Sequence, residues 1–416
     1  MKKKLLFLGS NYLLAEAVLK AKELGYYTIV TDWNLVENSP AKQVADEHWE
    51  ISLSDIDTMV TKIKDENVEG VFTNFTDSYL PYYVKICEEA GLPCLANLKQ
   101  IEMISNKDQS KQMCMDHGIS VSKRYYINNQ EDIVKLKGIK FPVLTKPVDN
   151  SGQRGIFVCH SFDKLEQLYM ESLKYSASNN VIIEEYVEGD YVVMCFTIQN
   201  GVVTLSTMAD KPVTEHFVGN EPRLPKGYVM PSKYIDLCIE KTLPGVQAFV
   251  KDMGLQNGVI CIEAVVKDND IFVFEMQFRL GGMRHHNFVL KENGMDIMAM
   301  LLNYSFSGKF DGWDAQKFDN PKFKNAYCSL NVLIEPDTAA RVEGLDIVKA
   351  MPHVTNFTLM MKEGNTVGIA GTVQQIFCKV MMKDDSYEKI LEDIRHVLKT
   401  IKVYNKEGKN IVMQLW

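Results

Sequence analysis

Glu275, Gln277 and Arg279 stand at alternate positions in the segment IFVFEMQFRLGG (271–282). Side chains along a strand alternate faces, so an acid, an amide and a guanidinium share one face, while Phe274, Met276 and Phe278 take the other and point toward a core. Burying such a row without partners costs on the order of several kcal/mol per charge, so a charged ligand is its natural occupant. Upstream, VICIEAVV (259–266) holds Glu263 alone among apolar residues, and Lys267-Asp268-Asn269-Asp270 joins the two runs as a hairpin. A two-residue loop at Asp268-Asn269 sets Glu263 opposite Phe274. A three-residue loop, or one bulge, sets it opposite Glu275. We expect the second arrangement, because two acids and the amide oxygen of Gln277 then make an all-oxygen site. Such a site suits Mg²⁺, which keeps waters and shares phosphate oxygens. The competing reading is a structural ion-pair cluster of Glu263 and Glu275 with Arg279.

The segments before the hairpin favour phosphate. Lys146 ends the apolar run FPVLTKP, and the following DNSGQRG (149–155) offers small residues, backbone N–H groups and Arg154 to a polyphosphate. Lys107, opening a helix in SNKDQSKQ, supplies a second cation. One lysine in either place is ordinarily solvated surface. Two of them, in order with a Gly-bearing loop and a two-acid hairpin, point to a metal–polyphosphate site.

Elements of several kinds must position these groups. The opening KKLLFLGSNYLLAEAVLKAKELGYYTIVTDWN reads strand, turn, amphipathic helix, strand, a βαβ unit ending at Asp32, and GVFTNF (70–75) adds a third strand. This is a doubly wound lobe whose first turn, GSNYLLAE, lacks the G-x-G-x-x-G of a dinucleotide site. Beyond residue 98 come a helix, strands at KRYYI and FPVLTKPV, the helix FDKLEQLYMESLK and the strand VIIEEYV. A hairpin over 191–207 turns at Asn200-Gly201, and a long loop with four prolines (210–232) precedes a helix over 233–253. The Met-rich MDIMAMLL (295–302) reads as a packed helix, and from about 320 strands mix with a last amphipathic helix, SYEKILEDIRHVLKTI. The fold class is α/β and α+β, divided as 1–97, 98–319 (with subdomains 98–187 and 188–319) and 320–416.

Bulk properties narrow the function. A chain of 416 residues with 46% hydrophobic and 24% charged residues is an ordinary multi-domain globular protein. Its net charge of -8 argues against a general nucleic-acid binder. No apolar run reaches the length of a membrane span. The start, MKKKLLFLGSNYLL, is broken by Gly9-Ser10-Asn11 and has no cleavage site, so it reads as strand and turn rather than a signal peptide. Nine scattered cysteines without a CxxC pair predict a cytoplasmic protein with neither a disulfide framework nor a structural zinc site.

Taken in order, these residues resemble the ATP-grasp superfamily, and within it the carboxylate–amine ligases that join amino acids or similar acids to amines. The resemblance rests on Lys107, on Lys146 with DNSGQRG, on the acidic hinge Glu184-Glu185-Tyr186-Val187-Glu188-Gly189-Asp190, on Glu263, and on EMQFR (275–279). It covers nearly the whole chain: a Rossmann-like lobe before the ATP-grasp core, a two-lobed core, and a C-terminal closing lobe. It implies ATP between the two subdomains, with Lys107 and Lys146 on its phosphates. The loop containing Ser151, Gly152 and Gly155 would close over them. Glu184, Glu185 and the backbone of Val187 would hold adenine, and Asp190, or Tyr191 after a one-residue shift, the ribose. Glu263, Glu275 and Gln277 would bind Mg²⁺, with Mn²⁺ as a substitute; the family usually has Asn at the third position. Arg279 would stabilise charge on the transferring phosphoryl group and the acyl intermediate.

The same resemblance implies a reaction: a carboxylate is activated as an acyl phosphate and joined to an amine, releasing ADP and phosphate. Biotin-dependent carboxylases carry a bicarbonate-binding run where this chain has Gly281-Gly282-Met283-Arg284. The two glycines leave room for a bulkier acid, and Arg284 stands near as a further substrate contact. Partners are a small-molecule carboxylate and amine, with no nucleic acid and no membrane, and a homodimer is the expected oligomer. The rival readings are a carboxylase of the purine-pathway type using bicarbonate, and a catalytically idle ATP-binding protein. Secondary candidates are His285 and His286, then Lys211, His216 and Arg223 in the long loop. Asn74, Thr76 and Asp77, at a strand end, either touch substrate or shape a turn. The segments 149–155 and 210–232 are the candidate lids.

Overall fold

Strands Lys4–Leu8, Tyr27–Thr31, Glu47–Trp49 and Gly70–Phe72 form a parallel sheet in the spatial order third, second, first, fourth. Leu5 to Leu8 are wholly buried, because a parallel sheet is covered on both faces. Asn11 ends the first turn and caps the helix Tyr12–Glu23, its side chain accepting from the Leu13 and Leu14 N–H groups. The computed structural model describes residues 2–127, 129–148, 155–214 and 223–416.

A second sheet is small and antiparallel. It runs Arg124–Tyr125, Val181–Glu185, Val143–Pro147, Phe157–Cys159, with the helix Phe162–Leu173 packed on it. Its core is its own, built from Ile133, Val143, Cys159, Leu165, Val181 and Ile183 among others. KRYYI contributes only the two residues Arg124 and Tyr125 to this sheet.

The third sheet has eight antiparallel strands: Asp270–Gln277, Gly258–Lys267, Asp190–Gln199, Val202–Asp210, Gly227–Met230, Ala326–Leu333, Ile376–Asp384 and Val354–Leu359. Gly227–Met230 pairs with Ala326–Leu333, so hydrogen bonding runs unbroken past residue 320, where the sequence suggests a new lobe. The expected helix over 233–253 is two helices, Ile235–Lys241 and Leu243–Met253. Pro244 explains the break: it has no N–H to continue a helix, but it fits the first turn of a new one.

Both hairpins turn on two residues with positive φ, as right-handed strand twist favours. Asn200 and Gly201 have φ of 52° and 78°, and Asp268 and Asn269 have 50° and 60°. The second turn alone would misplace Glu275. The register then slips by one residue: Ala264 pairs with Val273, but Glu263 pairs with Glu275. Phe274 is therefore a bulge, and it brings the two acids opposite one another. It does not join Met276 and Phe278 in the core, as strict alternation would have it. Freed from the pleat, it lines the cavity described below.

Among the described residues no helix is long and apolar enough to cross a membrane. All nine cysteines are free. Cys195, Cys261 and His285 come within 4.8 Å of one another in the core, a grouping that their scattered sequence positions do not reveal.

Candidate active site

A cavity of about 330 Å³ lies where the small sheet, the acid-bearing hairpin and the loop after the fourth parallel strand meet. That is within the range of small-molecule sites. Lys107, Lys146, Glu184, Glu185 and Val187 reach it from the helix and the small sheet, and Glu263, Glu275, Gln277 and Arg279 from the hairpin. Leu144, Val158, Val265, Phe272 and Phe274 give it an apolar wall.

The lysine side is more committed than its sequence suggests. Glu184 is buried and paired with both Lys146 and Lys111, a lysine one helical turn beyond Lys107. Lys111 also donates to Ser122 Oγ at 2.7 Å. Burial alone would push the Glu184 carboxyl up, but the two ammonium groups outweigh it and hold it at about 2. Its oxygens orient Lys146 and Lys111. SNKDQSKQ contains Lys111 as plainly as Lys107, yet nothing in the sequence says which lysine Glu184 meets.

On the hairpin, burial and the neighbouring Glu263 raise the Glu275 carboxyl. Lys211 Nζ lies 2.5 Å from Glu263 Oε2. Burial would depress that lysine, but Glu263 holds its ammonium charged. Two facing carboxylates with an amide oxygen two residues on make a donor set that fits a hard divalent cation, and an ammonium already serves one of the acids.

Arg279 is gripped from the N-terminal lobe. Its Nε donates to Asp77 Oδ1 at 2.8 Å and its Nη2 to Asp77 Oδ2 at 2.6 Å. The Leu280 N–H donates to Asn74 Oδ1 at 2.7 Å. Phe75, with φ of 67°, bends the chain so that both contacts form. The 74–77 loop is thus part of the site, and Asp77 lines the cavity. Lys211 and Arg223 line it as well.

Other candidates lie elsewhere. Asp190 points away, to Lys233 at 2.8 Å and to the Tyr234 hydroxyl, while its neighbour Tyr191 faces the cavity. Alternation along the strand decides this. Gly155 stands against Tyr175, outside the lining. Gly281 and Gly282 do not line the cavity either; an added Cβ would meet Cys261 Sγ at 3.6 Å and Leu13 Cδ1 at 3.9 Å, so their smallness opens no space there. Arg284, His285 and His286 are buried beside it rather than in it. Ser151, Gly152, Arg154 and His216 lie outside the described residues.

Residues 139–287 match the ATP-grasp domain family. That segment is an ATP-grasp domain. A formate-dependent phosphoribosylglycinamide formyltransferase of Prochlorococcus marinus is 31% identical over 201 residues, which cover 47% of this chain and 51% of that one. The chain therefore spans about half the length of the first curated relatives that it matches. In fold, an L-amino acid ligase from Bacillus licheniformis superposes with a TM-score of 0.80 at 17% identity, covering 97% of this chain and 99% of that one. A phosphoribosylglycinamide synthetase from Anaerococcus prevotii gives 0.74 at 20% identity, covering 98% and 100%. At these identities the likeness is one of fold: a parallel-sheet lobe followed by antiparallel ATP-grasp lobes.

Proposed function

We propose that the chain is an ATP-dependent ligase that phosphorylates a small carboxylic acid and joins the resulting acyl phosphate to an amine. One observation carries this reading. Arg279 holds a carboxylate, that of Asp77, through two N–H groups beside the paired acids Glu263 and Glu275. A guanidinium fork that binds one carboxylate can bind another, and a substrate acid exchanging with Asp77 would lie next to the phosphoryl-transfer groups. Lys107 and Lys146 offset charge on the polyphosphate, and Arg279 offsets charge on the acid as its oxygen attacks. Mg²⁺ held by Glu263, Glu275 and Gln277 supplies a Lewis acid toward the phosphoryl oxygens. Asp77, released from Arg279, is left to take the proton from the attacking amine. The curated relative named above is formate-dependent, so formate joins the amino acids at the head of the acids to be tried.

The test is ADP release from Mg²⁺-ATP with formate, amino acids and hydroxy acids, each alone and paired with an amine, and with hydroxylamine to trap an acyl phosphate as a hydroxamate. Turnover that needs both partners supports the ligase. Turnover with bicarbonate alone would replace it by a carboxylase, and tight ATP binding without turnover by an idle nucleotide-binding protein. Asp77→Asn keeps the shape but weakens the grip on Arg279 and removes a proton acceptor. We expect kcat to fall by about 10²-fold, with ADP affinity within about twofold of wild type. An unchanged kcat would return Asp77 to a purely architectural role.

A further inference from the structure

Arg284 is 1% exposed, the largest side chain buried so completely, and it sits in a cluster rich in donors and poor in acceptors. Its Nη2 forms an ion pair with Glu16 Oε1 at 2.6 Å and donates to Thr358 Oγ1 at 2.8 Å, and its Nη1 donates to Asn356 Oδ1 at 3.0 Å. Among the described residues its Nε has no partner, and neither has Nδ1 of the adjacent His286. The ring of Tyr12 lies under the guanidinium at 5.4 Å. Lys379 is buried on the neighbouring strand, where it pairs with Thr358, and among the described residues its ammonium donates only to the Gly282 carbonyl, at 3.3 Å.

Two buried cations thus share a single acid, Glu16, and Arg284 has taken it. Burial, and then Arg284, pull the Lys379 ammonium down to about 8, as expected for a lysine without a carboxylate of its own. A buried cation left without a partner costs stability. The cluster also begins on the strap leaving Arg279, since the carbonyl that Lys379 touches belongs to Gly282, three residues on.

We propose that Arg284 and Lys379 receive an anionic group, carboxylate or phosphate, carried by one of the two substrates; this rests on the ligase reading above. The anion accepts from Lys379 Nζ and Arg284 Nε. The substrate then spans from this pair toward Arg279, with its reacting end at the phosphoryl-transfer centre.

The test is thermal melting at constant ionic strength, with saturating MgADP present so that the polyphosphate site is filled. The probes are inorganic phosphate, glycine and glycinamide, applied to wild type, Lys379→Met and Lys379→Gln. We expect a saturable rise of about 2–4 °C with phosphate or with glycine, none with glycinamide, and none in either variant. Without ligand, Lys379→Met should melt no lower than wild type, because it removes an unpaired buried charge; a purely structural lysine would lower it. A shift with phosphate alone marks a phosphorylated substrate, and one with glycine alone an amino acid. No saturable shift with either anion, or an equal shift in the variants, overturns the proposal. Failure of MgADP itself to raise the melting temperature would instead overturn the nucleotide-dependent reading on which it rests.

Discussion

Glu275→Gln is expected to lower ATP turnover by about two to three orders of magnitude while raising thermal stability. The two effects share one cause. Glu275 is drawn opposite Glu263 by the Phe274 bulge, and both burial and that neighbour raise its carboxyl. A carboxyl raised above its unfolded value destabilises the fold at neutral pH, and the penalty fades as pH falls through the raised value. Glutamine has the same shape without the charge, so it removes the penalty and, with it, one charged ligand for the metal. The gain in melting temperature should be clear at pH 7 and shrink toward pH 4. Wild-type turnover, or a variant that melts lower at pH 7, would contradict the metal-site reading of this hairpin.

The second large effect runs the other way. Glu184→Gln leaves Lys146 and Lys111 buried together without their shared counter-charge. Removing one member of a buried ionic group costs about 3–5 kcal/mol, because what remains is an uncompensated charge. The wild-type contribution carries a pH signature. With its carboxyl lowered from 4.5 to about 2, Glu184 stabilises the fold fully above the unfolded value, and this is lost as pH falls from about 4.5 through about 2. Melting curves from pH 7 to pH 2.5 should therefore converge for wild type and variant at the acid end. If the two already coincide at pH 7, the triad is not what holds Lys146 in place.

Much of this site was legible because strand chemistry has period two. The row Glu275, Gln277, Arg279 declares a shared face, and a lone Glu263 among apolar residues asks for a partner on it. The two-acid pairing was therefore foreseeable, whereas the device that makes it was left open between a longer loop and a bulge. Phe274 was assigned to the core for the same reason, since alternation cannot announce its own interruption. The contact between Asp77 and Arg279 crosses 202 positions and leaves no local trace. Arg284 and Lys379 were unreadable together for that reason too. The pairing of Glu184 with Lys146 and Lys111 depends on which face of a short strand meets which turn of a distant helix. By contrast, Asn200-Gly201 marks its turn openly, and Pro244 carries a break that the expectation of one helix over 233–253 passes over.

Among the described residues the small sheet has a core of its own, while the parallel lobe and the eight-stranded sheet pack into common ones. Separate cores are separate cooperative units, and the smaller one buries less and opens at lower cost. Lys146 belongs to the smaller unit and the acid pair to the larger, so on the proposed function a nucleotide touching both joins two units with separate cores. On that function bound ATP would do more than stabilise: it would couple the opening of the small sheet to that of the large one for as long as the nucleotide stays.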